Sequence, residues 1–191
     1  MTLKDLLAAN RSYRRFDQTH AIDRQTLVEL VELTRLCASS SNRQPLRYVL
    51  LSTPQQNARV FPHLAWAGYL AGWPGPAEGE RPTAYIVILS DRKTAPHCDF
   101  DAGIAAQTML LGAAERGLGG CMIGSVQRTA LRRDLRIPEQ FEIPLVIALG
   151  KPAEKVVLED MKGPEAYEYY RDAGGIHHVP KRPLGELIVE F

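Results

Sequence analysis

The chain has 191 residues, with 23 basic and 22 acidic side chains, so its net charge of +1 gives no overall attraction to nucleic acid or to an anionic membrane. Apolar residues make up 45% and charged residues 24%, proportions near the globular average that exclude a wholly disordered or fibrous chain. We therefore predict a single domain over residues 1–191. The N-terminus lacks the pattern of a signal peptide, and no apolar run reaches the ~18 residues of a membrane span, so we expect a cytoplasmic protein.

Capping residues and apolar spacing predict the elements of the first half of the chain. Thr2 and Asp5 form a variant capping box for a helix that ends near Asn10, and Asp23 caps a second helix that ends near Cys37. A polar loop and a buried strand follow at 39–45 and 48–51.

The second half alternates strands with helices, after a loop at 72–82 that holds six Gly or Pro residues. Trp66, Tyr69 and Trp73 flank this loop, and they either line a pocket or anchor the loop in the core. Apolar runs and helical spacing predict strands at 84–90, 119–125 and 142–149 and helices at 101–116 and 128–135. The 101–116 segment is apolar on nearly every side, so we expect that helix to be buried.

The last part of the chain, residues 151–191, is predicted to be an extended tail. It ends in the β-branched run Leu187-Ile188-Val189, which needs a sheet edge to pair with. A tail of this length more often wraps around something than remains free.

Four clusters of polar or small residues are candidates for ligand binding. Arg11, Ser12 and Arg14 suit a phosphate because guanidinium groups stay charged and bind oxyanions with two donors, although a solvated basic turn is the alternative. The loop at 39–45 offers hydroxyls and amides to a polar heterocycle, or is an ordinary capping loop. Small residues at 119–125 allow close backbone approach to a ligand, and the Lys181-Arg182 pair is either a further anion contact or a surface charge pair.

Other catalytic motifs are missing from the sequence. The glycines at 117–124 lack the spacing of a dinucleotide-binding fingerprint, and there is no Walker A motif or nucleophile elbow. His97-Cys98-Asp99 and His177-His178 contain metal-ligand residue types, but adjacent residues rarely bind one metal, so no metal site is predicted. The three cysteines form no CxxC pair and are expected to be reduced.

These motifs, in this order, resemble the nitroreductase family of FMN-dependent oxidoreductases. The resemblance rests on Arg-Ser-Tyr-Arg-Arg-Phe at 11–16, Ser-Ser-Ser-Asn-Arg-Gln-Pro at 39–45, the apolar helix after Asp101, Gly-Leu-Gly-Gly at 117–120, Met-Ile-Gly-Ser at 122–125 and Lys-Arg-Pro-Leu at 181–184. It implies an α+β homodimer with a mainly antiparallel four-stranded sheet, flanking helices and a fifth strand donated by the partner's C-terminal tail.

The resemblance also implies which residues contact FMN. Arg11, Ser12 and Arg14 would bind the phosphate end and the pyrimidine edge, and Lys181 and Arg182 would close on the phosphate. The neighbouring chain would supply Ser39, Ser41, Asn42 and Gln44, and the backbone of Ile123, Gly124 and Ser125 would face the flavin N5 and O4 edge. Two departures matter: Asn10 and Gly124-Ser125 stand where many members have Arg and Glu-Gly. Arg81 is the candidate for a further cationic contact.

The implied activity is the NAD(P)H-dependent reduction of an electron-poor acceptor, such as a nitroaromatic or a quinone, by a ping-pong mechanism in one open cleft. Alternatives on the same scaffold are reductive dehalogenation, flavin reduction for a partner and flavin cleavage. A flavin-binding protein without NAD(P)H turnover, or an interaction module without any cofactor, are the alternatives from other functional classes.

Overall fold

Antiparallel strands form the central sheet of the computed structural model, which describes residues 2–94 and 99–190. The long strand β5 pairs with β3 on one side and with β4 on the other, β2 pairs with β3, and the short β1 pairs with the end of β5. The strands are β1 (Phe16–Asp17), β2 (Leu46–Leu51), β3 (Ala84–Asp91), β4 (Gly119–Ile123) and β5 (Phe141–Pro152). The predicted antiparallel sheet is confirmed, and β1 is an addition to it.

The helices begin where the capping residues predict. The Thr2 side chain accepts from the Asp5 backbone in a reciprocal capping box, and Asp23 Oδ1 accepts from Thr26 N at 2.7 Å. In the described part of the chain the helices are α1 (Leu3–Ala9), α2 (Arg24–Thr34), α3 (Pro54–Asn57), α4 (Asp99–Glu115) and α5 (Arg128–Leu135). None of them has both the length and the apolar character needed to cross a membrane.

Helix α2 ends three residues earlier than the predicted Cys37. The backbone continues through Arg35, Leu36 and Cys37 as tighter turns, because each N–H donates to the carbonyl three residues back. Such i→i+3 bonds commonly close a helix end, so the apolar pattern extends beyond the α-helix itself.

Helix α4 is the centre of the core, as its apolar surface predicts. It packs between α2 and the sheet, and Met109, Ala106 and Ala113 have no exposed surface. Gly112 permits the close approach of α2, because a Cβ there would lie 2.4 Å from Leu33 Cδ1. The opposite face of the sheet is covered by a second apolar cluster that includes Val60, Trp66 and Leu131.

Part of the C-terminal segment differs from the predicted extended tail. Residues 156–181 contain a second sheet, whose central strand is β8 (His177–Lys181). Strand β6 (Val156–Asp160) runs parallel to β8, and strand β7 (Tyr170–Arg171) runs antiparallel to β8. A turn at Asp172 closes the β7–β8 hairpin: Asp172 N donates to Ile176 O, and Gly175 adopts a φ of 79°. Leu187, Ile188 and Val189 are 61–68% exposed and outside any strand, and donation of a strand to a partner stays a prediction.

Candidate functional site

A cleft lies where the 11–15 segment, strand β4 and the second sheet meet. It consists of two adjoining cavities of ≈ 210 and ≈ 320 Å³. Both are lined by Arg14, Met122 and Tyr169, so the two cavities meet at these side chains. We call the combined space the Arg14 cleft.

The lining of the Arg14 cleft is positively charged. Arg11, Arg14 and Lys181 line it, and no acidic residue of the described chain does so. None of these three cations forms an ion pair with a described carboxylate, although Arg14 is only 8% exposed. A buried cation without a counterion is costly. The cleft therefore presents three cationic side chains that suit an anion.

The guanidinium of Arg14 is held by neutral groups. Its Nη1 donates to Ser12 O at 3.2 Å and lies 3.2 Å from His177 Nε2, and its Cζ lies 4.5 Å from the centre of the Tyr169 ring. Because arginine can only donate, His177 Nε2 accepts, and the proton of the neutral imidazole is on Nδ1. Burial, and then the positive charge of Arg14, lowers the pKa of His177 to about 4, so this imidazole is uncharged at neutral pH.

Two glycines explain why residues 11–15, which we call the basic segment, can lie beside β4. Ser12 forms a parallel bridge with Gly120, and Tyr13 N donates to Gly120 O at 3.0 Å. A Cβ on Gly119 would lie 2.5 Å from Tyr13 Cδ2, closer than side chains can approach. The glycine pair was predicted to allow close backbone approach, and here the group that approaches is the protein's own basic segment.

The predicted residues at 123–125 also lie in the Arg14 cleft. Ile123 ends β4, and Gly124 and Ser125 follow it as exposed loop residues that line the smaller cavity. Ser125 O accepts from Ala65 N at 2.9 Å, which holds this loop against the segment that carries Trp66. The structure thus brings together Arg11, Ser12, Arg14, Ile123, Gly124, Ser125 and Lys181, seven of the twelve predicted site residues.

The polar loop lies at a different cavity. Ser39, Asn42 and Gln44 line a pocket of ≈ 210 Å³ that shares no residue with the Arg14 cleft, and Ser41 is exposed in the same turn. Ser41, Asn42 and Gln44 adopt φ values of 52°, 53° and 49°, which non-glycine residues rarely do. Their predicted contact with a ligand in a neighbouring chain remains a prediction.

Two other candidate cations lie outside the cleft. Arg182 pairs with Glu186 at 2.6 Å and does not line either cavity. Arg81 pairs with Glu78 at 2.8 Å and lies over the Phe61 ring, in a cavity separate from the Arg14 cleft. The guanidinium groups of Arg81 and Arg182 already have counterions, in contrast to those of Arg11 and Arg14.

The aromatic side chains near the loop divide between the two predicted alternatives. Trp66 lines the smaller cavity and is also part of the core, where a Cβ on Gly75 would meet its ring at 2.6 Å. Tyr69 contacts Tyr169 edge to face, with ring centres 5.0 Å apart. Trp73 lies under the Arg171 guanidinium, 4.8 Å from its Cζ, and so anchors the loop.

Sequence reasoning did not identify Tyr169 and His177 as residues of this cleft. Strand alternation is the sequence pattern that could have identified His177. Residues two apart in a strand lie on the same face, and His177, Val179 and Lys181 of β8 all line the larger cavity. Lys181 was a candidate, so a strand through it would have implicated His177. Tyr169 had no such signal, because it precedes a two-residue strand.

Metal ligands do not cluster in the described residues: no group of three His, Cys, Asp or Glu side chains is arranged to hold an ion. His97 and Cys98, which the sequence analysis considered, lie outside the described residues. His178 is paired on both ring nitrogens with carboxylates, Glu159 at 3.1 Å and Asp172 at 3.2 Å.

Known proteins share this fold. The structure of a nitroreductase family protein from Streptococcus pneumoniae TIGR4 matches with a TM-score of 0.72 and 16% identity, covering 100% of both chains. One from Clostridium difficile 630 matches with a TM-score of 0.70 and 17% identity, covering 99% of this chain and 98% of that one. A protein from Exiguobacterium sibiricum 255-15, crystallised in complex with FMN, matches with a TM-score of 0.68 and 16% identity, over 81% of this chain and 90% of that one.

The cofactor that the sequence resemblance implies is thus the one bound by the Exiguobacterium protein. The sequence itself also matches a model of the nitroreductase family over residues 7–151, which is most of the chain and all of the central sheet except the last residue of β5. The chain therefore belongs to the nitroreductase family.

Proposed function

We propose that the Arg14 cleft binds FMN and that the protein is an FMN-dependent oxidoreductase. The observation that carries this proposal is the charge of the cleft: three cations without carboxylate partners among the described residues, next to the exposed loop residues Gly124 and Ser125. A phosphate monoester brings the negative charge that such a set of donors needs. The residues present therefore fit FMN.

The basic residues divide between the two ends of the ligand. Arg11, Ser12 and Lys181 line only the larger cavity and are assigned to the phosphate. Arg14 lines both cavities and is assigned to the pyrimidine edge of the ring. Residues 123–125 line only the smaller cavity, where their backbone would face the reactive edge of the flavin.

FMN, when bound, supplies hydride acceptance from NAD(P)H and electron transfer to an electron-poor acceptor such as a nitroaromatic or a quinone. The protein's part is binding and electrostatics. Arg14 stays charged in a site that is 8% exposed, where its field is weakly screened and favours negative charge on a neighbouring ring. His177 stays neutral beside it and therefore does not compete as a second cation.

The dinucleotide and the acceptor would use the open cleft in turn, which is the basis for a ping-pong mechanism. No side chain of the Arg14 cleft is required as a general base.

We also propose a cytoplasmic homodimer. The exposed Leu187, Ile188 and Val189 support it, since apolar side chains that are 61–68% exposed in succession mark a contact surface.

The absorbance spectrum of the purified protein tests the cofactor. We expect flavin bands, and release of FMN and no FAD when the protein is denatured and its supernatant is chromatographed. Anaerobic addition of NADH or NADPH should bleach the bound flavin, and a nitroaromatic or quinone should restore its colour. A colourless protein that cannot be reconstituted with FMN would refute the cofactor, and flavin that neither dinucleotide bleaches would refute the NAD(P)H-dependent activity.

A matched pair of variants tests the location of the site. Lys181→Met removes a cleft cation, whereas Arg182→Met removes the neighbouring cation that is paired with Glu186. FMN content should fall in the first variant and stay near the wild-type level in the second. Equal FMN content in both would place the cofactor elsewhere.

A further inference from the structure

Glu154 makes an unusual set of contacts beside the Arg14 cleft. Its side chain is only 2% exposed. Its Oε1 accepts from the backbone N–H groups of Arg14 at 2.5 Å and Arg15 at 3.1 Å, and its Oε2 accepts from Arg171 Nη2 at 2.9 Å. One buried carboxylate thus ties the basic segment to the second sheet across about 140 residues of sequence.

The charge of Glu154 is neutralised by Arg171 and not by Arg14. Arg171 is the ion-pair partner of Glu154, is 13% exposed on its side chain, and rests on the Trp73 ring. The carboxylate contacts Arg14 only through its backbone, and the Arg14 guanidinium turns away to Tyr169 and His177. This arrangement holds the residue in place while its positive charge stays available.

We propose that Glu154 is a positioning residue for the ligand of the Arg14 cleft: its carboxylate fixes the backbone at Arg14 and Arg15, and Arg171 keeps that carboxylate from neutralising the Arg14 guanidinium. Both Glu154 and Arg171 lie outside residues 7–151, which the family model matches. The role toward FMN rests on the proposed function above, whereas the contact with the backbone does not.

Two substitutions separate positioning from charge. Glu154→Gln and Glu154→Met both remove the negative charge, and both leave Arg171 without its partner. Only the glutamine keeps an oxygen that can accept the two backbone N–H groups, and the methionine keeps a similar volume. A pure charge effect would therefore change FMN affinity equally in both variants. We expect the methionine variant to bind FMN about tenfold more weakly than the glutamine variant, because without an acceptor the backbone at Arg14 and Arg15 must be reordered when FMN binds.

The same two substitutions in an Arg14→Met background test whether Glu154 acts through Arg14. The difference in FMN dissociation constant between the glutamine and methionine variants should shrink from about tenfold to within about twofold, because coupled residues are not additive. FMN fluorescence during titration of the apoproteins measures all four constants. Equal constants for the two variants, or a ratio that the Arg14 background leaves unchanged, would overturn the proposal.

Amide hydrogen exchange of the apoprotein gives a readout that needs no ligand. The Arg14 and Arg15 amides should exchange at least about tenfold faster in Glu154→Met than in Glu154→Gln, whereas amides within α4 should exchange equally in both. Unchanged exchange at Arg14 and Arg15 would refute the backbone contact itself. If the wild type binds no FMN, the proposed cofactor and the role of Glu154 toward it both fail, and the exchange result still decides the contact.

Discussion

Two adjacent histidines should make the stability of this protein depend on pH in opposite directions. His177 is 1% exposed, and its Nε2 accepts from Arg14. Burial, followed by the charges of Arg14 and Arg171, lowers the pKa of His177 to about 4, whereas Glu154 partly opposes the shift. The next residue, His178, has its pKa raised by hydrogen bonds to Asp172 and Glu159, an effect larger than that of its partial burial.

The lowered pKa of His177 sets the sign of its effect. Below its unfolded pKa of 6.5, the unfolded chain binds a proton at this histidine and the folded chain does not, until the pH reaches about 4. Protons therefore favour unfolding throughout that interval, and stability falls as the pH is lowered. One such group changes the free energy of unfolding by at most about 1.4 kcal/mol per pH unit, or roughly 3 kcal/mol over the interval.

Urea unfolding at several pH values, from about pH 7.5 to about pH 4.5, measures this effect in wild type and His177→Gln. Glutamine can still accept a hydrogen bond from Arg14 but does not titrate in this range. As the pH falls from 6.5 to about 4.5, we expect the free energy of unfolding of the wild type to decrease by about 2 kcal/mol more than that of the variant.

His178→Gln is the matched control. Because the folded pKa of His178 is raised, its stabilising contribution is fully present below 6.5 and is lost as the pH rises through the folded pKa. That variant should be least stable relative to wild type in acid, the opposite of His177→Gln. A stability difference for His177→Gln that stays constant over the acid interval would refute a neutral, buried His177 beside Arg14.

Three further predictions concern the Arg14 cleft and the C-terminus. Lys181→Met should weaken FMN binding about tenfold, because Lys181 lines the cleft and a charge-assisted contact is worth about 1.5–3 kcal/mol. Arg182→Met should weaken it less than about twofold, because Arg182 does not line the cleft. Equal losses of affinity in fluorescence titrations would contradict this. Arg14→Ala should lower the midpoint potential of bound flavin, by about 30 mV for each tenfold by which Arg14 favours the reduced over the oxidised flavin. Arg11→Ala should weaken FMN binding and leave the potential unchanged. Equal potentials of the two variants in a spectroelectrochemical titration at saturating FMN would mean that both arginines serve the phosphate. Deletion of residues 183–191 should abolish the homodimer in analytical ultracentrifugation while β8 is kept, and a stable truncated dimer would refute a role for this end in assembly.

Most of the central fold could be predicted from local sequence patterns. The capping box at Thr2, the cap at Asp23 and the apolar surface of α4 depend on residues a few positions apart, so their physics is readable without the tertiary structure. Strands β3 and β5 are buried on both faces and therefore read as continuous apolar runs. The missed strands, β1 and β6 to β8, are short or only partly buried, and their pairing partners are distant or depend on a turn.

The sequence by itself determined that basic side chains gather at 11–15, that small residues follow at 119–125 and that Lys181 is a further cation. Only the tertiary structure decided which cations have counterions: Arg81 and Arg182 lie next to Glu78 and Glu186, and Arg14 has no carboxylate partner among the described residues. It also decided that Glu154, Tyr169 and His177 surround Arg14. These contacts join segments about 140 or more residues apart in the sequence. The charge and burial of a site depend on which side chains folding brings together, so they cannot be predicted from a local sequence pattern.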